Sequence, residues 1–337
     1  MVTKKKTAPR PKRVRWGVLG VAKIATEKVI PGMQQGKHAR ITAIASRSLD
    51  TAQRAAKALN IPRAYGSYED LINDKHIDAV YIPLPNHLHV EWAIKAARAG
   101  KHVLCEKPVA LKVRDLERLI EARDRAGVLI QEAFMYRGQP PWQKAMSLVR
   151  DGRIGELRAV VGVFSYFNAD PSNIRNIKAW GGGGVYDIGC YLINSARWAF
   201  GAEPKRVTGA IQRDPVSGVD TLGSMLLEFP NGHATGVCST QLTPFQRVTL
   251  FGTEARIEIE IPFNLPPDRR GRLRIDDGKT LDGSGGQWIE CKAADQYTVQ
   301  GDEVSLAILR GKPAPYPLED SLANLKVIEG VLTSKSK

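Results

Sequence analysis

The 337-residue sequence contains no apolar run that approaches the ~20 residues a bilayer-crossing helix needs. It has no cysteine framework either. Cys105, Cys190, Cys238 and Cys291 lie far apart without a Cys-x-x-Cys pair, which signals neither a disulfide scaffold nor a zinc site. The histidines are equally scattered. His87 and His89 are the one close pair, and their i,i+2 spacing does not place them on one helix face. No metal is expected. Acidic residues are missing from positions 1–15, where Lys4, Lys5, Lys6, Arg10, Lys12, Arg13 and Arg15 supply half of the net charge of +14. Such a block reads as a solvated, disordered basic tail over residues 1–13, with a polyanion-binding arm as the functional alternative. Elsewhere acids and bases are interspersed, so no specific nucleic-acid partner is expected. The tail runs into an apolar strand without the roughly 7–15-residue hydrophobic stretch of a secretory signal. The expectation is a cytoplasmic protein with no membrane partner.

With 43% apolar residues over this length, the chain can fill two cores rather than one. Val14–Leu19, Ile41–Ala45, Ala79–Ile82, His102–Cys105 and Val128–Gln131 have the length and composition of buried strands. Between them, Ala22–Gln35, Thr51–Leu59, Asn86–Ala99 and Leu111–Ala126 repeat apolar residues at three and four, the helical signature. Pro31 is expected to split the first helix, and a shorter one fits near Tyr68–Ile72. This alternation predicts a Rossmann domain over residues 14–131, built on a doubly wound parallel sheet.

The rhythm changes at residue 132. Trp142–Arg150 and Val185–Phe200 read as helices, and Val160–Phe167, Arg206–Gln212, Thr221–Phe229, Ala234–Gln241 and Arg247–Ile261 as strands. Pro230-Asn231-Gly232 is a hairpin turn between two of them. Strands joined this closely pair antiparallel, which predicts an α+β domain over 132–337 on an open, mainly antiparallel sheet. Glu303–Leu309 and Ser321–Leu332 read as closing helices able to pack back on the first domain. An open sheet with an uncovered face is expected to pair with another copy, giving a homodimer or homotetramer.

The chemistry-bearing residues cluster at strand ends. Gly17-Val18-Leu19-Gly20-Val21-Ala22 stands where the first strand meets a helix, and a glycine turn there exposes helix N-terminal amides to a pyrophosphate. A plain structural turn is the alternative. At the end of the second strand an NAD site usually carries a carboxylate, but here stand Ser46, Arg47 and Ser48, with Asp50 further on. A guanidinium flanked by hydroxyls suits a ribose 2′-phosphate, so NADP is the expected cofactor, with NAD possible. Leu84, Asn86 and His89 follow a third strand, on a loop that can lie against ribose and nicotinamide, and Asn86 also suits a helix N-cap. Glu106 and Lys107 end another strand before Pro108, over the ligand crevice.

Four segments then point to one family: GVLGVAKIA at 17–25, the triplet Glu106-Lys107-Pro108, EAFMYR at 132–137 and GGGGVYDIGCYLINSARWAFG at 181–201. In order and spacing they resemble the glucose–fructose oxidoreductase, inositol dehydrogenase and rhizopine-catabolism family across residues 14–330. The resemblance is strongest to the branch with NADP-linked xylose dehydrogenases and dimeric dihydrodiol dehydrogenases. It implies an NAD(P)-dependent oxidoreductase acting on a carbinol of a sugar, polyol or dihydrodiol. It assigns contacts with substrate and nicotinamide ribose to Lys107, whose bond to proline is often cis in the family. Many relatives carry histidine where Tyr191 stands, so a histidine proton relay is not implied here.

Asp187 and Tyr191, at i,i+4, share one helix face. The expected chemistry has Tyr191 as general acid/base, its pKa lowered by the Lys107 ammonium, and Asp187 orienting the substrate. Tyr136 and Arg137 are expected to reach the crevice as substrate contacts. Trp180 could stack on a sugar face or simply anchor its loop, and Tyr297 is a further candidate. Gly181–Gly184 could let backbone approach a polyhydroxyl ligand, or be a flexible turn. Two other readings stay open. A non-catalytic dinucleotide-sensing regulator of the same fold would need no proton relay, and a biliverdin-reductase-like enzyme would need a larger apolar pocket.

Overall fold

The computed structural model describes residues 13–334, so the expected tail lies almost wholly outside the described residues. Six short strands build the first sheet: β1 (Val14–Leu19), β2 (Ala39–Ala45), β3 (Arg63–Tyr65), β4 (Ala79–Ile82), β5 (His102–Cys105) and β6 (Ile130–Glu132). Their order is β3-β2-β1-β4-β5-β6 and every neighbouring pair is parallel. Strands covered on both faces need apolar residues throughout, and β4 is buried at all four positions. The helices between them are α1 (Ile30–Gln35), α2 (Leu49–Ala58), α3 (Tyr68–Asn73), α4 (His89–Arg98) and α5 (Val113–Ala126).

A π-helical turn, Ala25–Val29, precedes α1, and Pro31 sits in the first turn of α1. The expected split is thus a change of helical pitch, with proline where its missing N–H costs nothing. Asn86 does not cap α4, which has no side-chain cap. The three-residue β3 was not anticipated, being half-exposed and too short for an alternation signal.

The second sheet has eight strands. After α6 (Pro140–Arg150) come β7 (Leu157–Phe167), α7 (Cys190–Phe200), β8 (Arg206–Arg213), β9 (Asp220–Phe229), β10 (Gly232–Ser239), β11 (Gln241–Gly252), β12 (Arg256–Ile259), β13 (Arg272–Asp276) and β14 (Gln287–Glu290). The order is β14-β13-β12-β11-β7-β10-β9-β8. All neighbours are antiparallel except β7 and β10, which run parallel at the centre. The single strand expected over 247–261 is the hairpin β11–β12. Strands β13 and β14 escaped the sequence reading because arginines and Asp276 interrupt the apolar pattern of β13 and exposed Gln287 and Glu290 stand at the two ends of the short β14.

Helix α7 is buried along almost its whole length and lies on one face of this sheet. Its Tyr191 joins Tyr136, Trp142, Phe164 and Phe263 in an aromatic cluster with centroid separations of 5.1–6.3 Å. Trp142 is fully buried and donates from Nε1 to the Pro262 carbonyl at 2.6 Å. Trp142→Ala is expected to destabilise the protein by about 3–5 kcal/mol in urea denaturation, from the cavity plus an orphaned carbonyl.

The chain returns to the first sheet at its end. Helix α8 (Gln296–Leu309) starts earlier than expected because Asp295 accepts hydrogen bonds from the Tyr297 and Thr298 amides. It packs on α1 and β1, where Ser305 accepts from Trp16 Nε1 at 2.9 Å and Asp302 accepts from the Lys37 and His38 amides. Helix α9 (Leu318–Thr333) packs against α5, α7 and β8. Among the described residues no helix is long and apolar enough to cross a membrane.

Candidate active site

The carboxyl ends of the parallel strands open onto a cleft of about 550 Å³ that extends to the second sheet. One wall is Ala22, Lys23, Ile24, Leu84, Asn86, Glu106 and Lys107; the other includes Tyr166, Arg175, Trp180, Asp187 and Tyr191. Gly20 turns the chain out of β1 with φ +111°, a conformation that side-chain-bearing residues avoid. A Cβ there would also lie 3.1 Å from Leu84. The turn is tied to the end of β2 by the Gly20 amide donating to the Ala45 carbonyl at 2.8 Å.

This cradle, with the first helical turn lining the cleft, fits a dinucleotide pyrophosphate. Gly17 has a different role. It is buried inside β1, and a Cβ there would come 2.4 Å from Leu71, so its small size serves packing against α3. Ser46 and the exposed Arg47 stand at the end of β2, outside the cleft lining, and Ser48 caps α2 by accepting from Thr51 N.

Lys107 is the centre of the geometry. Its peptide bond to Pro108 is cis. Nζ donates to the Asp187 carbonyl at 2.6 Å and to Asp187 Oδ1 at 3.1 Å, and lies 5.0 Å from the centroid of the Tyr191 ring. Burial works most strongly against the ammonium, but Asp187, together with Cys190 and Glu106, outweighs it, so the Lys107 pKa is raised. Asp187 occupies the π-helical turn Val185–Gly189 that leads into α7. Its Oδ2 accepts from Tyr166 OH at 2.5 Å and from Arg175 Nε at 2.9 Å. Burial would raise the Asp187 pKa, yet the Lys107 and Arg175 charges prevail and depress it well below the usual carboxylate range.

Tyr191 departs from the expectation. Its hydroxyl points to Met135 Sδ at 3.4 Å, and the Lys107 ammonium faces the ring rather than the oxygen. Burial, reinforced by nearby Cys190 and Glu106, pushes its pKa well above 10, so Lys107 does not make it a phenolate in this geometry.

Three predicted contacts lie elsewhere. Tyr136 is fully buried beneath the cleft and donates to Asn194 Oδ1 at 2.6 Å. Arg137 pairs with Asp320 at 2.6 Å and stacks on Tyr316 and Trp198. The reason is local: after β6 the chain enters the turn Met135–Gly138, which carries both residues into the core of the second sheet. His89 is also buried. Its ring nitrogens lie 2.8 Å from the Pro108 carbonyl and 2.6 Å from the Leu84 carbonyl, and burial holds its pKa down at about 4. It ties together two loops that line the cleft without facing the cleft itself.

Asn86 reaches across the cleft, its Nδ2 donating to the Gly181 carbonyl at 3.0 Å, and Trp180 stacks on His87 at 5.5 Å. Glu106 lines the cleft and accepts from Tyr81 OH at 2.7 Å, and Tyr297 borders it from α8. Val21 lies at the glycine turn. Tyr166 and Arg175 were missed. The period of two in β7 puts Tyr166 on the face of Phe164 and could have revealed it; Arg175, in an irregular loop, has no such signal.

Residues 14–134 match the family described as an oxidoreductase family with an NAD-binding Rossmann fold, and residues 142–258 match the GFO/IDH/MocA C-terminal domain. The chain belongs to this family. An uncharacterised oxidoreductase of Rhizobium meliloti is 49% identical over 96% of this chain and 97% of its own. A D-xylose 1-dehydrogenase (NADP(+)) of Haloferax volcanii is 36% identical over 95% and 96%. Among solved structures, a 3-ketoreductase from Actinomadura kijaniata in complex with NADP and TDP-benzene is similar at a TM-score of 0.89. It is 28% identical, over 96% of this chain and 98% of that one. For this family member, NAD(P)-dependent oxidoreduction and a two-sheet architecture with a Rossmann first sheet agree with the sequence expectations.

Proposed function

We propose that the protein is an NADP(H)-preferring oxidoreductase that moves a hydride between the nicotinamide and a secondary carbinol or carbonyl of a sugar or related polyol. The observation that carries this is the Lys107–Asp187 pair beside Tyr191 at the inner end of a cleft that begins at the Gly20 turn. When bound, the cofactor supplies or accepts the hydride. Gly20, Val21 and Ala22 would hold its pyrophosphate, Leu84, Asn86 and Glu106 its nicotinamide half, and Ser46 and Arg47 its 2′-phosphate.

At neutral pH Lys107 keeps its proton because Asp187 stabilises the ammonium, and burial keeps Tyr191 a phenol. Lys107 therefore presents a donor to the substrate oxygen, whereas the Tyr191 hydroxyl is directed at Met135 Sδ. Lys107 steadies the developing alkoxide and gives it a proton during carbonyl reduction, with the Tyr191 ring packed against the ammonium. Carbinol oxidation requires the reverse transfer and gains as pH rises. Asp187 has its carboxylate oxygens occupied by Lys107, Tyr166 and Arg175, so its role is to hold these groups more than to bind substrate directly. Substrate contacts fall to Trp180, Tyr166 and Arg175, in place of Tyr136 and Arg137.

NADP preference draws support from the absence of a carboxylate at the end of β2 and from the NADP-linked relatives. Arg47→Ala is expected to weaken NADPH binding about 10- to 100-fold and NADH binding by less than about 3-fold, by fluorescence titration. The same reading includes a cytoplasmic location and a homo-oligomer formed through the uncovered sheet face. Exposed Val161, Phe251 and Trp288 on that sheet support the second. The function is tested by following absorbance at 340 nm over a panel of aldoses, polyols and dihydrodiols with each cofactor. NADPH-linked turnover on a polyol supports it. Tight NADPH binding with no turnover across the panel favours a dinucleotide-sensing regulator.

A further inference from the structure

The cleft holds a second cation that the chemistry at Lys107 does not use. Arg175 lies in the turn Ile174–Asn176, where its amide donates to Asn173 Oδ1 at 3.1 Å and its carbonyl accepts from the Gly183 amide at 2.9 Å. Gly182 packs directly on that carbonyl, since a Cβ there would come 2.4 Å from the Arg175 oxygen. Gly183, at φ +121°, would place a Cβ 2.0 Å from the Asp220 carboxylate. The glycine run therefore lets the 174–176 turn lie flat against it, which fixes where the arginine stands.

From that base the guanidinium spends only Nε on Asp187 Oδ2. Its terminal nitrogens donate to no carboxylate or carbonyl among the described residues, and the side chain is 42% exposed where it lines the cleft. Lys107 and Arg175 share one carboxylate. The other acid beside them, Glu106, accepts from Tyr81 OH, so among the described residues Asp187 is the one carboxylate that pairs with both cations.

We propose that Arg175 is a specificity-determining residue that binds a carboxylate of the substrate, and that the preferred substrate is a sugar acid. A guanidinium edge matches two coplanar carboxylate oxygens, whereas a neutral hydroxyl offers one weaker, uncharged acceptor. Both cations hold the same Asp187, so the carboxylate lies within a few carbons of the carbinol that reacts at Lys107. This deepens the polyol reading and rests on it.

The test uses the full chain with NADP+ or NADPH and substrate pairs that differ only in a carboxylate for a hydroxymethyl group. D-gluconate against D-glucitol, D-galactonate against galactitol and D-glucuronate against D-glucose are such pairs. The acid of at least one pair is expected to have about 10- to 100-fold higher kcat/KM. Arg175→Gln should erase that ratio chiefly through KM, and Arg175→Lys should restore part of it. Tyr166→Phe removes the other partner of Asp187 Oδ2 and should lower turnover of both members of a pair alike, keeping the ratio, which separates carboxylate binding from support of Asp187. Equal or better turnover of the neutral members by the wild type overturns the inference and leaves the polyol reading standing. So does an Arg175→Gln effect equal on both members. No turnover of any member removes both.

Discussion

Replacing Lys107 with alanine is expected to lower kcat by about three to four decades while NADPH affinity changes less than about threefold. The size follows from what the ammonium does. It is 13% exposed, is kept charged by Asp187, and is a cation placed to meet charge on the substrate oxygen. An oxyanion contact of this kind contributes about 2.7–4 kcal/mol to the barrier, and loss of proton delivery adds to that. Cofactor binding changes little because the glycine turn lies at the other end of the cleft and the end of β2 stands outside its lining. Stopped-flow single turnovers with parallel NADPH titrations separate the two effects. A variant that kept near wild-type turnover would remove Lys107 from the chemistry.

Asp187→Asn is expected to be nearly as damaging, and to change the pH dependence as well. The carboxylate offsets the burial of Lys107, so without it burial prevails and the lysine loses its proton at lower pH. The alkaline limb of the reductive kcat profile should therefore move toward acid, with kcat at neutral pH down by about two decades or more. Stability changes too. A carboxylate with a depressed folded pKa stabilises the native state above its ordinary pKa, and this is lost as pH falls through the folded value. The variant should lack that acid-side dependence. It should also unfold about 3–5 kcal/mol more easily near neutral pH, because Lys107 remains buried without its partner. Urea titrations across pH check this, and an unchanged alkaline limb would show that Asp187 does not govern the lysine.

How much of this could be read from the sequence depends on the residue. The β1–Gly20 turn and the strand end at Lys107 carry local signals, since backbone geometry at strand ends is set by glycine and proline. Asp187 and Tyr191 share a helix in sequence and a pocket wall in space. The Tyr191 protonation state did not follow, because spacing along a helix says nothing about which side of the ring an ammonium meets. Tyr136 and Arg137 were misplaced because a four-residue turn, invisible to periodicity, reverses the chain after β6. Arg175 was missed for a related reason: its position comes from tertiary contact with Gly182 and Gly183. Strand β14 was missed because a sheet edge tolerates polar residues that loops also carry, and β13 because its arginines and Asp276 interrupt the apolar pattern.

The most direct test of the central claim is isotope transfer. A substrate found active in the 340 nm panel, deuterated at its reacting carbinol carbon, is oxidised with NADP+ and the reduced cofactor is examined by NMR. The account predicts one deuterium per turnover on a single face of nicotinamide C4 in the wild type, and loss of that transfer at a matched time in Lys107→Ala. Reduced cofactor without deuterium, or transfer at an undiminished rate in Lys107→Ala, would contradict it.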